Sequence, residues 1–140
     1  MRIKDDLTFG FVGIGLIGGS VAKALRRVYP SCKIIVYNRG AKPRVLAIND
    51  GTANIALDTV DERFSECDYI FLCTPVERNV EYLTILKDII KPTCIITDVG
   101  SVKTNIHEAV KALSLEDNFI GGHQMAGSEK TSYENASNRL

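Results

Sequence analysis

Apolar residues fall along this chain in short runs, and most runs are followed by a stretch in which they recur at every third or fourth position. Residues 8–12 (T-F-G-F-V) and 33–37 (K-I-I-V-Y) are the first two runs, and their aromatic and β-branched content predicts strands. Between them, residues 16–28 set Ile17, Val21, Ala24, Leu25 and Val28 on one face of a helix. A short helix is predicted over 44–50, stopped by Gly51, and a brief third strand over 54–56. Residues 69–73 (Y-I-F-L-C) are apolar throughout, as a parallel strand covered on both faces requires. The pattern then predicts a helix over 76–90 ending before Pro92, a strand over 94–97, a helix over 102–113 and a short strand over 119–120. Alternation of this kind predicts an α/β fold with a doubly wound, mostly parallel sheet.

The chain of 140 residues is long enough for one domain with a core and short for two. Its 45% apolar and 24% charged residues are ordinary for a soluble globular protein. A formal net charge of zero argues against nucleic acid or an anionic membrane surface as a partner. Asp5 and Asp6 stand where a signal peptide needs a basic start, and no apolar run nears the roughly 20 residues of a membrane span. A cytoplasmic location is therefore expected. Cys32, Cys67, Cys73 and Cys94 lack C-x-x-C spacing, so neither a metal site nor a redox pair is expected. Cys73 and Cys94 fall at opposite ends of their strands, and at about 3.3 Å per residue they lie too far apart to bridge. Beyond Ser128, Tyr133, Ala136 and Leu140 open an apolar stripe at helical spacing that nothing caps. The expectation is one nucleotide-binding domain over 1–140, cut within its last helix.

Gly13-Ile14-Gly15-Leu16-Ile17-Gly18 has the form G-x-G-x-x-G, directly after the first strand and opening the first helix. In a Rossmann-type unit the first glycine permits the tight turn and the second lets backbone approach a pyrophosphate. The third lets the helix pack closely on the sheet. Unpaired N–H groups and the positive end of the helix dipole then face the phosphates. All six residues are expected at the cofactor.

Cofactor choice is read at the end of the second strand, about 20 residues past the fingerprint, where an acidic residue would hold the ribose hydroxyls of NAD. Asn38 stands there, followed by Arg39, with Lys42 and Arg44 close behind. No carboxylate repels a 2′-phosphate, and the planar fork of Arg39 suits one, so NADP is favoured over NAD.

Three more loops leave the carboxyl ends of strands, the edge at which open α/β sheets bind ligands. The first, Cys73-Thr74-Pro75, puts Thr74 and Pro75 beside the cofactor; the others carry Ser101, also expected at the cofactor, and His123. Ser101 also suits an N-cap. His123 stands between glycines that permit close approach, and an imidazole, which can take up a proton near neutral pH, suits a proton acceptor. His107, mid-helix beside Glu108, is assigned no role.

Together, Gly13-Ile14-Gly15-Leu16-Ile17-Gly18-Gly19-Ser20, Thr97-Asp98-Val99-Gly100-Ser101-Val102-Lys103 and Gly121-Gly122-His123-Gln124-Met125-Ala126-Gly127-Ser128-Glu129 resemble the prephenate/arogenate dehydrogenase family, in family order. Related β-hydroxyacid dehydrogenases more typically have Met near Ile17 and lack the His123 block. Gln124 departs from the family, which more often has Pro there. The resemblance implies an NAD(P)-dependent oxidative decarboxylation of prephenate or arogenate in tyrosine biosynthesis. It implies that His123 takes the hydrogen bond of the ring hydroxyl, Ser101 helps place it, and Glu129 sits at the substrate entrance. It further implies a helical second domain, beyond these residues, that forms a homodimer and binds the substrate carboxylates. A non-catalytic dinucleotide-sensing module and a different Rossmann dehydrogenase are the other readings, since fold alone does not fix function.

Overall fold

The computed structural model of the chain describes residues 6–99, 104–121 and 133. Strands β1 (Thr8–Val12), β2 (Lys33–Tyr37), β3 (Ile55–Leu57), β4 (Tyr69–Leu72), β5 (Ile95–Asp98) and β6 (Phe119–Gly121) make one sheet in the order β3-β2-β1-β4-β5-β6. Every pairing is parallel, and β1 lies between β2 and β4. The order reverses direction beside β1, which opens the crevice characteristic of a doubly wound sheet. Helices α1 (Leu16–Val28), α2 (Ala41–Asn49), α3 (Val76–Lys87) and α4 (Thr104–Ala112) connect the strands.

Successive side chains of a strand point to opposite faces, and the core divides accordingly. Phe9, Phe11, Ile34 and Val36 pack with Ala22 of α1 and Ala47 of α2. On that face the β1–β4 register sets Phe9 opposite Tyr69 and Phe11 opposite Phe71, with ring centroids 5.7 and 4.9 Å apart. Val12, Ile35, Tyr37, Ile70, Leu72 and Ile96 turn the other way, against Phe64, Leu83 and Leu86, and Ile106 of α4.

The sheet is therefore wrapped on both faces, as the uninterrupted apolar runs predict. The residues of β1, α1 and β2 match the predicted bounds, and other elements shift by a few residues. α2 begins at Ala41, ahead of residue 44, because Pro43 falls in its first turn, where a missing N–H leaves no bond unmade. α3 ends at Lys87, short of residue 90. A short 3-10 turn, Glu62–Glu66, was not predicted: its polar sequence holds a single buried apolar residue, Phe64. It is fixed locally by the Asp61 carboxylate, which accepts from the Arg63 backbone N–H at 3.0 Å. Gly10 makes room for it, since a Cβ there would lie 2.7 Å from Cys67 Sγ and 3.0 Å from the Phe64 ring.

Tyr133 packs on the α1/α2 face, while Ala136 and Leu140 lie outside the described residues. Tyr133 is 2% exposed, and its hydroxyl donates to Asp50 Oδ2 at 2.7 Å. Cys32, Cys67, Cys73 and Cys94 are free thiols. Burial pushes the Cys94 thiol up to about 12, so it is inert as a nucleophile at neutral pH. No helix among the described residues is long and apolar enough to cross a membrane.

Candidate nucleotide-binding site

The strands hand over to loops along one edge, and backbone hydrogen bonds carry the ladder slightly past them. Gly13 N–H donates to Tyr37 O at 2.8 Å, Cys73 N–H to Val12 O at 2.8 Å and Val99 N–H to Leu72 O at 3.2 Å. The starts of the four loops after β1, β2, β4 and β5 are thereby held beside one another.

Gly13 turns with φ +93°, a conformation that side-chain-bearing residues rarely adopt. A Cβ on it would also stand 2.7 Å from Thr74 Cγ2. One on Gly18 would stand 2.6 Å from Gly13 O and 3.1 Å from Cys73 Cβ. Both glycines are therefore needed for the close approach of α1 to the loop after β4. Ile14 and Leu16 bury their side chains and Ile17 is half-buried. What these residues can offer a ligand at the loop is mainly backbone. Gly15 is the N-cap of α1, with no side chain to cap it and no acidic residue in the first turn. The N–H groups of that turn, at the positive end of the helix dipole, are left for an anion.

At the end of β2, Asn38 is tied inward. Its Oδ1 accepts from Ile14 N–H at 3.1 Å and its Nδ2 donates to Gly40 O at 3.1 Å. The residue predicted to face the ribose thus also braces the glycine loop, an internal role that its position in the sequence does not reveal. Arg39, next to it, is exposed. The hydroxyl of Thr74 donates to Asn79 Oδ1. Pro75 is the N-cap of α3 and accepts through its carbonyl from the backbone N–H groups of Arg78 and Asn79 at 2.9 and 3.0 Å. Asn79 is buried completely, and its Nδ2 has no hydrogen-bond partner.

Ser101, His123 and Glu129 lie outside the described residues, as does Gln124. Their points of departure are described. Asp98 ends β5, Gly121 ends β6, and the two are register partners. Asp98 is itself buried, 1% exposed, at the same edge. His107 packs edge-on to Phe119, with centroids 6.4 Å apart. Among the described residues no cluster of His, Cys, Asp or Glu is arranged to hold a metal ion.

Residues 21–140 match a family model described as prephenate dehydrogenase, nucleotide-binding domain. The chain belongs to the prephenate dehydrogenase family. Prephenate dehydrogenase of Bacillus subtilis (strain 168) is 33% identical over 132 residues, which are 93% of this chain and 35% of that protein. The solved prephenate dehydrogenase of A. aeolicus, in complex with hydroxyphenyl propionate and NAD+, superposes with a TM-score of 0.88 at 30% identity, covering 98% of this chain and 48% of that one. Synechocystis arogenate dehydrogenase superposes with a TM-score of 0.83 at 34% identity, covering 94% of this chain and 45% of that one. The chain thus spans about a third of this curated relative and just under half of these solved chains. The family match begins after the glycine fingerprint, so Gly13, Gly15 and Gly18 support nucleotide binding independently of it.

Proposed function

We propose that this chain is the cofactor-binding part of a dehydrogenase that oxidatively decarboxylates prephenate or arogenate in the cytoplasm, with NADP preferred over NAD. Membership of the family carries the reading, and the uncapped start of α1 behind Gly13 and Gly18 supports a dinucleotide at this edge. Bound there, a nicotinamide dinucleotide supplies the hydride acceptor. The chain's own residues bind and orient it. Backbone N–H groups of the fingerprint loop and the first turn of α1 hold the pyrophosphate, and Arg39 holds the 2′-phosphate.

His123 then takes the hydrogen bond, and the proton, of the substrate's ring hydroxyl as its carbon loses hydride. Ser101 helps place the imidazole, and Glu129 lines the substrate entrance. Departure of carbon dioxide leaves an aromatic ring, which drives the reaction forward, so the protein's main task is to position the reactants. Carboxylate-binding groups and the homodimer contact are assigned to a helical domain outside these residues.

Calorimetric titration with NADPH and NADH tests the cofactor assignment. NADPH should bind more tightly, and Arg39→Ala should weaken it selectively by about 1.5–3 kcal/mol, the contribution of a charge-assisted hydrogen bond. Equal affinities in the unmutated chain would overturn the preference. Assays of this chain beside a full-length form, with prephenate and arogenate, test the division of the site. Cofactor should bind to both, and turnover should require the longer form.

A further inference from the structure

Arg26 and Arg63 show what a committed arginine looks like in this molecule. Arg26 Nη1 donates to Cys32 O at 2.6 Å, and its Nη2 to Asn54 Oδ1 at 2.6 Å, tying the end of α1 to the strands below. Arg63 grips Asp61, with Nη2 to Oδ2 at 2.7 Å. Arg39 and Arg78 are different. Both are exposed, and neither has an ion pair among the described residues.

Their backbones are brought together by a tyrosine pair. The hydroxyls of Tyr37, which ends β2, and Tyr82, on α3, are 2.7 Å apart, and the ring centroids 5.2 Å. This contact fastens the second turn of α3 to the carboxyl end of β2. Arg39 follows Tyr37 by two residues. Arg78 precedes Tyr82 by one helical turn on the same face, toward the helix start and hence toward the crevice edge. Burial and the Tyr82 hydroxyl push the Tyr37 phenol up to about 12, and the charges of Arg39 and Arg78 pull against them, so both guanidinium groups act on one point. The acids of α3 do not cancel this field by pairing. Glu77 lines a groove against α4 with Val80 and Glu108, and Glu81 makes no ion pair with Arg78 among the described residues.

We propose that Arg78 is a second specificity residue for the dinucleotide's 2′-phosphate, approaching from α3 across the crevice from Arg39. The inference rests on the NADP preference argued above and adds a residue to it. A phosphomonoester is close to a dianion at neutral pH, and two guanidinium forks match both its charge and its acceptor oxygens. The tyrosine pair fixes the spacing of the elements that carry them before the ligand arrives, which lowers the ordering cost of binding.

Titration of the unmutated chain, Arg78→Ala, Arg78→Lys and Arg39→Ala with NADPH, NADH and 2′,5′-ADP tests this. Arg78 is exposed on a helix, and unchanged thermal melting checks that its variants fold. Arg78→Ala should weaken NADPH and 2′,5′-ADP by about tenfold or more and NADH by less than about twofold, as loss of one charge-assisted contact implies. Arg78→Lys should recover part of the affinity, and the salt sensitivity of NADPH binding should fall in Arg78→Ala. Equal weakening of NADPH and NADH would assign Arg78 to the shared adenosine and overturn the proposal. So would a selective NADPH loss in Arg39→Ala with none in Arg78→Ala, which leaves the cofactor preference standing. An unmutated chain that binds both cofactors equally would overturn the preference and the inference together.

Discussion

In the proposed site, recognition is built from backbone at the pyrophosphate end and from side chains at the ribose end. Gly15 opens α1 with its first-turn N–H groups left for an anion, and Gly13 and Gly18 pack that turn so closely on the loop after β4 that a single added carbon would collide with it. Past the end of β2 and in the first turn of α3, Arg39 and Arg78 stand exposed and without an ion pair among the described residues. The first end is common to every dinucleotide, because all carry a pyrophosphate. The second is proposed to meet the one group by which NADP differs from NAD. Backbone recognition tolerates no change of shape, whereas side-chain recognition can be retuned one residue at a time without disturbing the fold.

The sharpest way to break this comparison is to add one carbon at the rigid end. Gly18→Ala sets a Cβ 2.6 Å from a carbonyl oxygen, Gly13 O, which cannot swing aside as a side chain can. Overpacking of this kind costs roughly 1–3 kcal/mol of stability, and α1 must move off the loop to relieve it. We expect a lower melting temperature and a loss of NADPH and NADH affinity in equal proportion. Retention of either cofactor at its original affinity would mean that close packing of α1 is not what shapes the pyrophosphate site.

Asn38 joins the two ends, and its substitution should separate them. In Asn38→Asp a carboxylate oxygen can still accept from Ile14 N–H, but the donor to Gly40 O is lost and a negative charge is added where the ribose is proposed to lie. NADPH should weaken by about 1–2 kcal/mol while NADH is held or gains, since a carboxylate can accept from a free 2′-hydroxyl. Asn38→Leu loses the brace on the glycine loop as well, and should weaken both. Fluorescence titration of the two variants distinguishes them; matching profiles would show that the brace is immaterial.

Much of the architecture was legible because it follows from local rules. The apolar run of β4 and the amphipathic face of α1 state their burial directly, and the fingerprint states its turn. Less of the site was legible. Asn38 was found from its distance past Gly18, but its bond to Ile14 joins residues on two separate strands' loops, which no periodicity records. Arg78 and Asn79 carry no signal at all: on a helix they read as solvated face residues. They become part of the crevice edge only because Tyr37 meets Tyr82 across the sheet. The same limit explains Glu62–Glu66, whose single apolar contact, Phe64, depends on the absence of a side chain at Gly10.

A smaller effect, away from the crevice, supplies the control that the comparison needs. Tyr133 donates to Asp50 Oδ2 at 2.7 Å and to Thr52 Oγ1 at 3.1 Å, with Lys23 Nζ 4.7 Å from its ring centroid. Burial alone would raise the Asp50 carboxyl, but hydrogen bonds from Thr52 and Tyr133, with the charge of Lys23, outweigh it and hold the group below its ordinary value. A group depressed in the folded state adds stability above its unfolded pKa and loses it as pH falls through the folded one. Tyr133→Phe should therefore cost about 1 kcal/mol at neutral pH, the typical net contribution of a hydrogen bond. Its stability deficit should narrow on acidification below the carboxylate range, as the unmutated chain loses its advantage. NADPH and NADH should bind as before, because Asp50, Thr52 and Lys23, the polar and charged partners of Tyr133, are none of the residues assigned to the cofactor. Denaturant unfolding at several pH values, with titration at neutral pH, reads both outcomes. A variant that lost cofactor in step with its stability would show that affinity follows the fold as a whole, and the division between the two ends would fail.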